Sequence, residues 1–185
     1  MEVILSQARQ GDPYRLTKWL EKNMPDKRKR SQARMIGVIS DTHGLVRPEV
    51  LKAFQGVDLI VHAGDVGGPG VLEALRAVAP VAAVRGNVDR GEWARDLKDT
   101  EVVEAGESCL YILHNVRELD LDPATAGFRA VISGHSHQPS VKEQDGVLFL
   151  NPGSAGPRRF RLPVSVALLR LEGNSLEAKM VELEV

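Results

Sequence analysis

The chain has a single cysteine in 185 residues, Cys109, so no internal disulfide framework holds it and a reducing compartment is expected. The run Leu110-Tyr-Ile-Leu113 that follows makes Cys109 a buried structural thiol rather than a nucleophile. No apolar stretch reaches the length of a membrane span, and the N-terminus lacks the basic-then-apolar order of a secretion signal. A cytoplasmic protein without a membrane partner is therefore expected. Strong charge of either sign is also missing. A formal net charge of −1 lacks the electrostatic footprint of a nucleic-acid binder. Repeats and low-complexity segments are absent. What is present, 43% hydrophobic and 26% charged residues, suits one domain with a real core.

The charge is unevenly spread. Residues 1–34 hold nine Lys/Arg against four Asp/Glu, leaving fifteen against twenty-one for residues 35–185. Asp12-Pro13 reads as a helix start, with Asp as cap and Pro in the first turn. Tyr14, Leu16, Trp19 and Leu20 give an incomplete apolar stripe as far as Asn23, and Lys27-Arg-Lys-Arg30 reads as a solvated linker. Residues 1–34 are thus an N-terminal extension appended to a domain of residues 35–185.

From Met35 the pattern is strand, loop, helix, repeated. Strands are expected at 35–40, 58–62 and 81–85, with helices near 47–55 and 70–78 and an irregular stretch from Gly86 to Leu97. Near-continuous Val/Ile/Ala strands between helices indicate a parallel sheet covered on both faces. The second half is strand-rich, at about 101–105, 109–114, 129–133, 139–143, 147–150, 164–171 and 176–184. Asp145-Gly146 and Gly173-Asn174 are hairpin signals, and Asp122-Pro123 predicts a short helix over 122–127. Two mixed sheets face to face with helices outside, an αββα sandwich, accommodate this order.

Five of the apolar strands end in polar residues of one chemical kind. Asp41-Thr-His43, Gly64-Asp65, Gly86-Asn87, His114 and Gly134-His-Ser-His137 follow them in turn. Asp41, His43, Asp65, Asn87, His114, His135 and His137 offer two carboxylates, an amide oxygen and four imidazoles. That set is too large for one ion and fits two six-coordinate ions that share a carboxylate, for which Asp65 is the best candidate. Mixed N/O donors without thiolate suit Mn²⁺, Fe, Zn²⁺, Co²⁺ or Ni²⁺ better than Ca²⁺ or Mg²⁺, with Mn²⁺ preferred. Each element alone is a weak signal; their order, each at a strand end, is a strong one.

Together with Val88-Asp89 and Asn151-Pro-Gly-Ser154, these motifs resemble the calcineurin-like metallophosphoesterase superfamily, and within it the small single-domain phosphodiesterases of bacteria and archaea. The resemblance covers residues 35 to 185. It implies the αββα sandwich, one ion held by Asp41, His43, Asp65 and His137, and another by Asp65, Asn87, His114 and His135. It further implies hydrolysis of a small phosphate ester, a diester before a monoester, by a hydroxide bridging two divalent ions. Asn87 and His114 would also position substrate. Larger members carry His where this chain has Val88, which leaves the proton donor to the leaving group unassigned; Asp89 beside it reads first as orienting a ligand or fixing the loop and second as the catalytic candidate for proton transfer. Arg90 and Arg158 are candidate substrate contacts, with Arg159 close behind, because a guanidinium matches phosphate bidentately. His62 reads as buried support, Thr42 and Ser136 as turn residues, and Trp93 as core or as a substrate lip. The rival reading is a non-catalytic protein-binding scaffold on the same fold. A homo-oligomer is left open.

Overall fold

Ten strands make two five-stranded mixed sheets in a computed structural model that describes residues 34–159 and 161–185. The helix expected from Asp12 and the basic linker lie outside those residues. In the first sheet, β1 (Arg34–Ile39), β2 (Leu59–His62) and β3 (Val81–Ala83) run parallel, joined by α1 (Pro48–Ala53) and α2 (Pro69–Arg76). Strand β9 (Ser165–Glu172) pairs antiparallel with β1, and β10 (Ser175–Glu182) pairs antiparallel with β9, giving the order β10-β9-β1-β2-β3. The second sheet has the order β4-β5-β6-β8-β7, from β4 (Thr100–Ala105), β5 (Ser108–Leu113), β6 (Ala130–Ile132), β7 (Ser140–Gln144) and β8 (Val147–Asn151).

The sheets bury their facing sides against each other. Ile36, Val38, Val61 and Leu169 from the first meet Leu110, Ile112, Ile132 and Leu150 from the second. The helices cover the outer face of the first sheet, where Phe54, Leu72 and Leu75 pack on Ile39, Ile60 and Val166. Gly37 makes this possible: a Cβ there would lie 2.8 Å from the Phe54 ring, so only glycine lets α1 settle on β1. The outer face of the second sheet carries no helix among the described residues. Its apolar side chains Tyr111, Leu113 and Val131 are covered by the 115–128 loop, through Leu119, Leu121 and Phe128.

The helix expected over 122–127 is a single turn. Asp122 caps it as the sequence predicts, accepting from Ala124 N at 3.1 Å and Thr125 Oγ1 at 2.7 Å. Gly127 (φ 81°) then takes the left-handed conformation and ends it before a second turn can propagate. No helix among the described residues is long and apolar enough to cross a membrane.

Candidate metal centre

Because β1, β2 and β3 are parallel, as are β5 and β6, their C-terminal ends reach the same edge of the sandwich. The loops leaving them are stitched together by backbone bonds: Asp41 N to Gly64 O (3.0 Å), His43 N to Asp65 O (3.0 Å) and Gly134 N to His114 O (2.9 Å). Six described residues other than glycine have positive φ, and five of them are Asp41, His43, Asp65, His135 and His137, at 48° to 66°. The sixth, Asp145, sits in the hairpin turn that Asp145-Gly146 predicts. Left-handed backbone at a side chain with a Cβ is unfavourable and persists where the surroundings over-determine it, typically at functional sites. It brings these neighbouring side chains to one pocket, where extended backbone would send successive residues to opposite faces.

The seven candidates converge. Asp41 Oδ1 lies 3.2 Å from His137 Nε2, which is 3.4 Å from His43 Nε2. Asp65 stands between the two halves of the cluster, Oδ2 4.0 Å from His43 Nε2 and Oδ1 3.5 Å from His114 Nε2. Asn87 Oδ1 is 3.1 Å from both His114 Nε2 and His135 Nδ1. Two groups have ligand atoms mutually within 4.8 Å, Asp41-His43-His137 and Asp41-Asp65-His114. Asp41 belongs to both. Asp65, the carboxylate expected to be shared, faces an imidazole of each half with one oxygen.

The protonation pattern fits a cation. His114 Nδ1 is 2.8 Å from the Ala63 carbonyl, which only accepts, so that nitrogen carries a proton. A neutral His114 then aims the lone pair of Nε2 at Asn87 Oδ1 and Asp65 Oδ1. Acceptors facing acceptors repel unless a proton or a cation lies among them. With protons alone, His114 is pushed above its ordinary range: burial opposes its charge, but the Asp65 carboxylate and the Ala63 carbonyl outweigh it. Asp65 is correspondingly lowered, its burial overcome by His114 and by the Val88 N–H (3.0 Å). Asp41, fully buried, is pushed up to about 6 by desolvation, against the opposing bonds from Ser40 Oγ and His135 N. His137 is lowered to about 4 by burial and then by Arg159. Asp41 and His137 thus both move toward their neutral forms, and Asp41 Oδ1 is a buried acceptor without a hydrogen-bond donor. Paired carboxylates and imidazoles in that condition are a cation's donor set.

A pH dependence of metal uptake follows. Binding requires Asp41 ionised, and its metal-free carboxyl holds a proton below about pH 6. Mn²⁺ affinity, measured by calorimetry, is expected to fall about tenfold or more per pH unit below that value and to keep rising above it, because His114, held above its ordinary range, must also give up its Nε2 proton to ligate.

The remaining sequence candidates separate. Asp89 is a clamp and not a free acid, because Oδ2 accepts from Val66 N (3.1 Å) and Gly86 N (2.9 Å) and Oδ1 from Gly67 N (2.8 Å). With both oxygens committed to amides, it fixes the Asp65 and Asn87 loops rather than moving protons. Arg158 turns to the C-terminus, Nη2 3.4 Å from the Val185 carbonyl. Its neighbour Arg159 reaches the cluster, Nη2 3.4 Å from His43 Nε2. Arg90 lines a cavity of about 690 Å³ that opens beside Asn87, His114 and His135. Trp93 packs in the helix-side core.

Thr42 donates to the Val66 carbonyl (2.8 Å) and pairs with the buried His62 (2.9 Å), whose charge desolvation suppresses to a pKa of about 3. Asn151 donates to the Gly134 carbonyl (2.6 Å) and to Ser136 Oγ (3.1 Å), beneath the His-x-His loop. Ser154, of the Asn151-Pro-Gly-Ser154 motif, is bonded to the Asp41 carbonyl (3.0 Å); Ser40, bonded to Asp41 Oδ2, escaped the sequence reading. Serine beside a turn is too common to signal this.

Residues 35–174 match the calcineurin-like phosphoesterase superfamily domain. The chain belongs to that superfamily. A probable metallophosphoesterase of Methanothermobacter thermautotrophicus is 36% identical over 159 residues, 80% of this chain and 91% of that protein. The crystal structure of an archaeal phosphodiesterase is 25% identical, with a TM-score of 0.66 over 80% of this chain and 99% of that one. Vacuolar protein sorting 29 from Cryptosporidium parvum shares the fold at 20% identity, with a TM-score of 0.67 over 83% of this chain and 99% of that one. This superfamily member has a calcineurin-like fold and gathers candidate metal-ligating groups at one sheet edge.

Proposed function

We propose that the chain is a two-metal phosphodiesterase, with Asp41, His43, Asp65 and His137 holding one divalent ion and Asp65, Asn87, His114 and His135 the other. The observation that carries this is the convergence of seven donor side chains around Asp65, five of them on left-handed backbone. Two ions bound there would neutralise phosphoryl oxygens and lower the pKa of a water that serves as nucleophile. Mn²⁺, Fe, Zn²⁺, Co²⁺ and Ni²⁺ all suit mixed imidazole and carboxylate donors, and Mn²⁺ is the ion we propose.

The chain's own residues do the rest. Asp89 holds the loops of Asp65 and Asn87 in register through three amides. Asn87 and His114, lying at the mouth of the 690 Å³ cavity, orient a substrate oxygen. Arg159, beside His43, is the guanidinium that meets a phosphoryl oxygen, in the role first considered for Arg158. Val88 is 44% exposed and cannot protonate a leaving group, so esters of acidic alcohols are the better substrates. A diester is favoured over a monoester by the phosphodiesterase among the related structures and by the two cavities that meet at His135.

Protein stripped with chelator and given Mn²⁺ is expected to hydrolyse bis(p-nitrophenyl) phosphate faster than p-nitrophenyl phosphate, and the stripped protein neither. Fold similarity to vacuolar protein sorting 29 keeps a scaffold reading available. Purified protein that binds no Mn²⁺ and leaves both esters intact would decide for the scaffold.

A further inference from the structure

A second cavity, of about 540 Å³, lies between the 115–117 loop and the second sheet and shares Asn115 and His135 with the larger one. The two cavities therefore share one candidate ligand, His135. Their chemistry differs. The larger is lined by Arg85, Arg90 and Arg95 but also by Glu92, Asp99 and Glu118, and Arg85 is bonded to Asp99 at 2.6 Å. The smaller contains Arg117 and Lys142 and not one carboxylate.

Its geometry follows from strand alternation. Ser140, Lys142 and Gln144 are alternate residues of β7, so they share one face, and all three line the cavity. Lys142 stands directly across from Phe149 of β8, which packs on the Tyr111 cluster and gives the cavity an apolar wall. Neither Arg117 nor Lys142 has an ion-pair partner among the described residues. The neighbouring acid, Glu118, lines the other cavity and is bonded to Asn115 Nδ2 at 3.1 Å. Two uncompensated cations with hydroxyl and amide groups around them, in a cavity that His135 of the phosphoryl site also lines, form a receptor for a second anion.

We propose that this cavity seats one ester arm of the substrate, an arm that carries its own phosphate, held by Arg117 and Lys142 while Phe149 contacts its apolar part. The inference rests on the phosphodiesterase reading and narrows it to diesters with a second anionic group on one arm.

Calorimetry on the full chain with Mn²⁺ tests it, using thymidine 5′-monophosphate and thymidine 3′,5′-bisphosphate as probes. The bisphosphate is expected to bind about tenfold more tightly, the order of one charge-assisted contact to phosphate. Arg117→Gln combined with Lys142→Gln should bring the two Kd values together, while Lys142→Arg should keep them apart. Both side chains are exposed, so the double variant is expected to fold, and circular dichroism checks it. Equal Kd values in the unaltered protein, or a difference that survives the double variant, would overturn the proposal. The phosphodiesterase reading is judged separately by bis(p-nitrophenyl) phosphate, which has no second anion. Intact aryl ester with a retained bisphosphate preference would sink that reading and leave the anion site standing.

Discussion

Asp65→Asn is expected to abolish turnover of bis(p-nitrophenyl) phosphate, by about a thousandfold or more, and to leave the protein folded. The amide has the shape of the carboxylate. Its remaining oxygen can still accept from Val88 N, the 3.0 Å bond that ties the Asp65 loop to the loop after β3. What disappears is the charge. The oxygen 4.0 Å from His43 becomes an NH₂ that cannot ligate, and the oxygen 3.5 Å from His114 is left neutral. Both halves of the cluster lose their common anion at once, which no other single isosteric change does as well. The stability cost is small and has a definite sign. Asp65 is held below the ordinary carboxylate range, so its contribution is present above the unfolded-state pKa and is lost as pH falls through the folded one. At neutral pH the amide therefore sacrifices that contribution, on the order of 1 kcal/mol for a partly solvated pair. Calorimetric Mn²⁺ titration beside a thermal melt checks both halves. A variant that melts normally and still turns over the aryl diester at near the original rate would remove Asp65 from the centre.

How much of this could be read from residues alone depends on whether the signal was local. Asp41-Thr-His43 and His135-Ser-His137 were legible because each pair lies at the end of an apolar run, where parallel strands must deliver their tips to one edge. His114 was legible for the same reason, despite standing alone. The left-handed backbone of these residues was not legible: non-glycine residues take it only when their surroundings force it, and those surroundings come from distant loops. Asp89 shows the limit most clearly. Beside Asn87 it reads as an acid near the chemistry, yet two of its three amides belong to Val66 and Gly67, over twenty residues away. Arg158 and Arg159 are indistinguishable in a sequence, since their side chains leave the loop in different directions and only folding says which faces His43. The Asp122 cap was read correctly and its helix was not, because a cap states where a helix starts and Gly127 decides how soon it stops.

The glycine before Asn87 carries the second large effect. Gly86→Ala is expected to cost on the order of 3 kcal/mol and to lower Mn²⁺ affinity with it, because the added methyl has no space. A Cβ at Gly86 would overlap the backbone nitrogen and the Oδ1 carboxylate oxygen of Asp65, and it would meet the Asp65 Cα at 2.8 Å. Two of those atoms are backbone, so no rotamer change relieves the clash; one loop must move. Moving the Gly86 side stretches the Gly86 N to Asp89 bond of 2.9 Å, and with it the clamp that also holds Val66 and Gly67. Moving the Asp65 side draws its carboxylate away from His43 and His114. Either way the ligand set opens, and stability and metal binding fall together, unlike in Asp65→Asn, where only metal binding and turnover fail. Gly56 supplies the contrast: a Cβ there has nothing within 4 Å, though its φ of 81° would still strain an alanine. Gly56→Ala should therefore destabilise by about 1 kcal/mol through backbone strain and leave Mn²⁺ affinity intact. Equal loss of metal affinity in both variants would show that the close packing of Gly86 on Asp65 is not what shapes the centre.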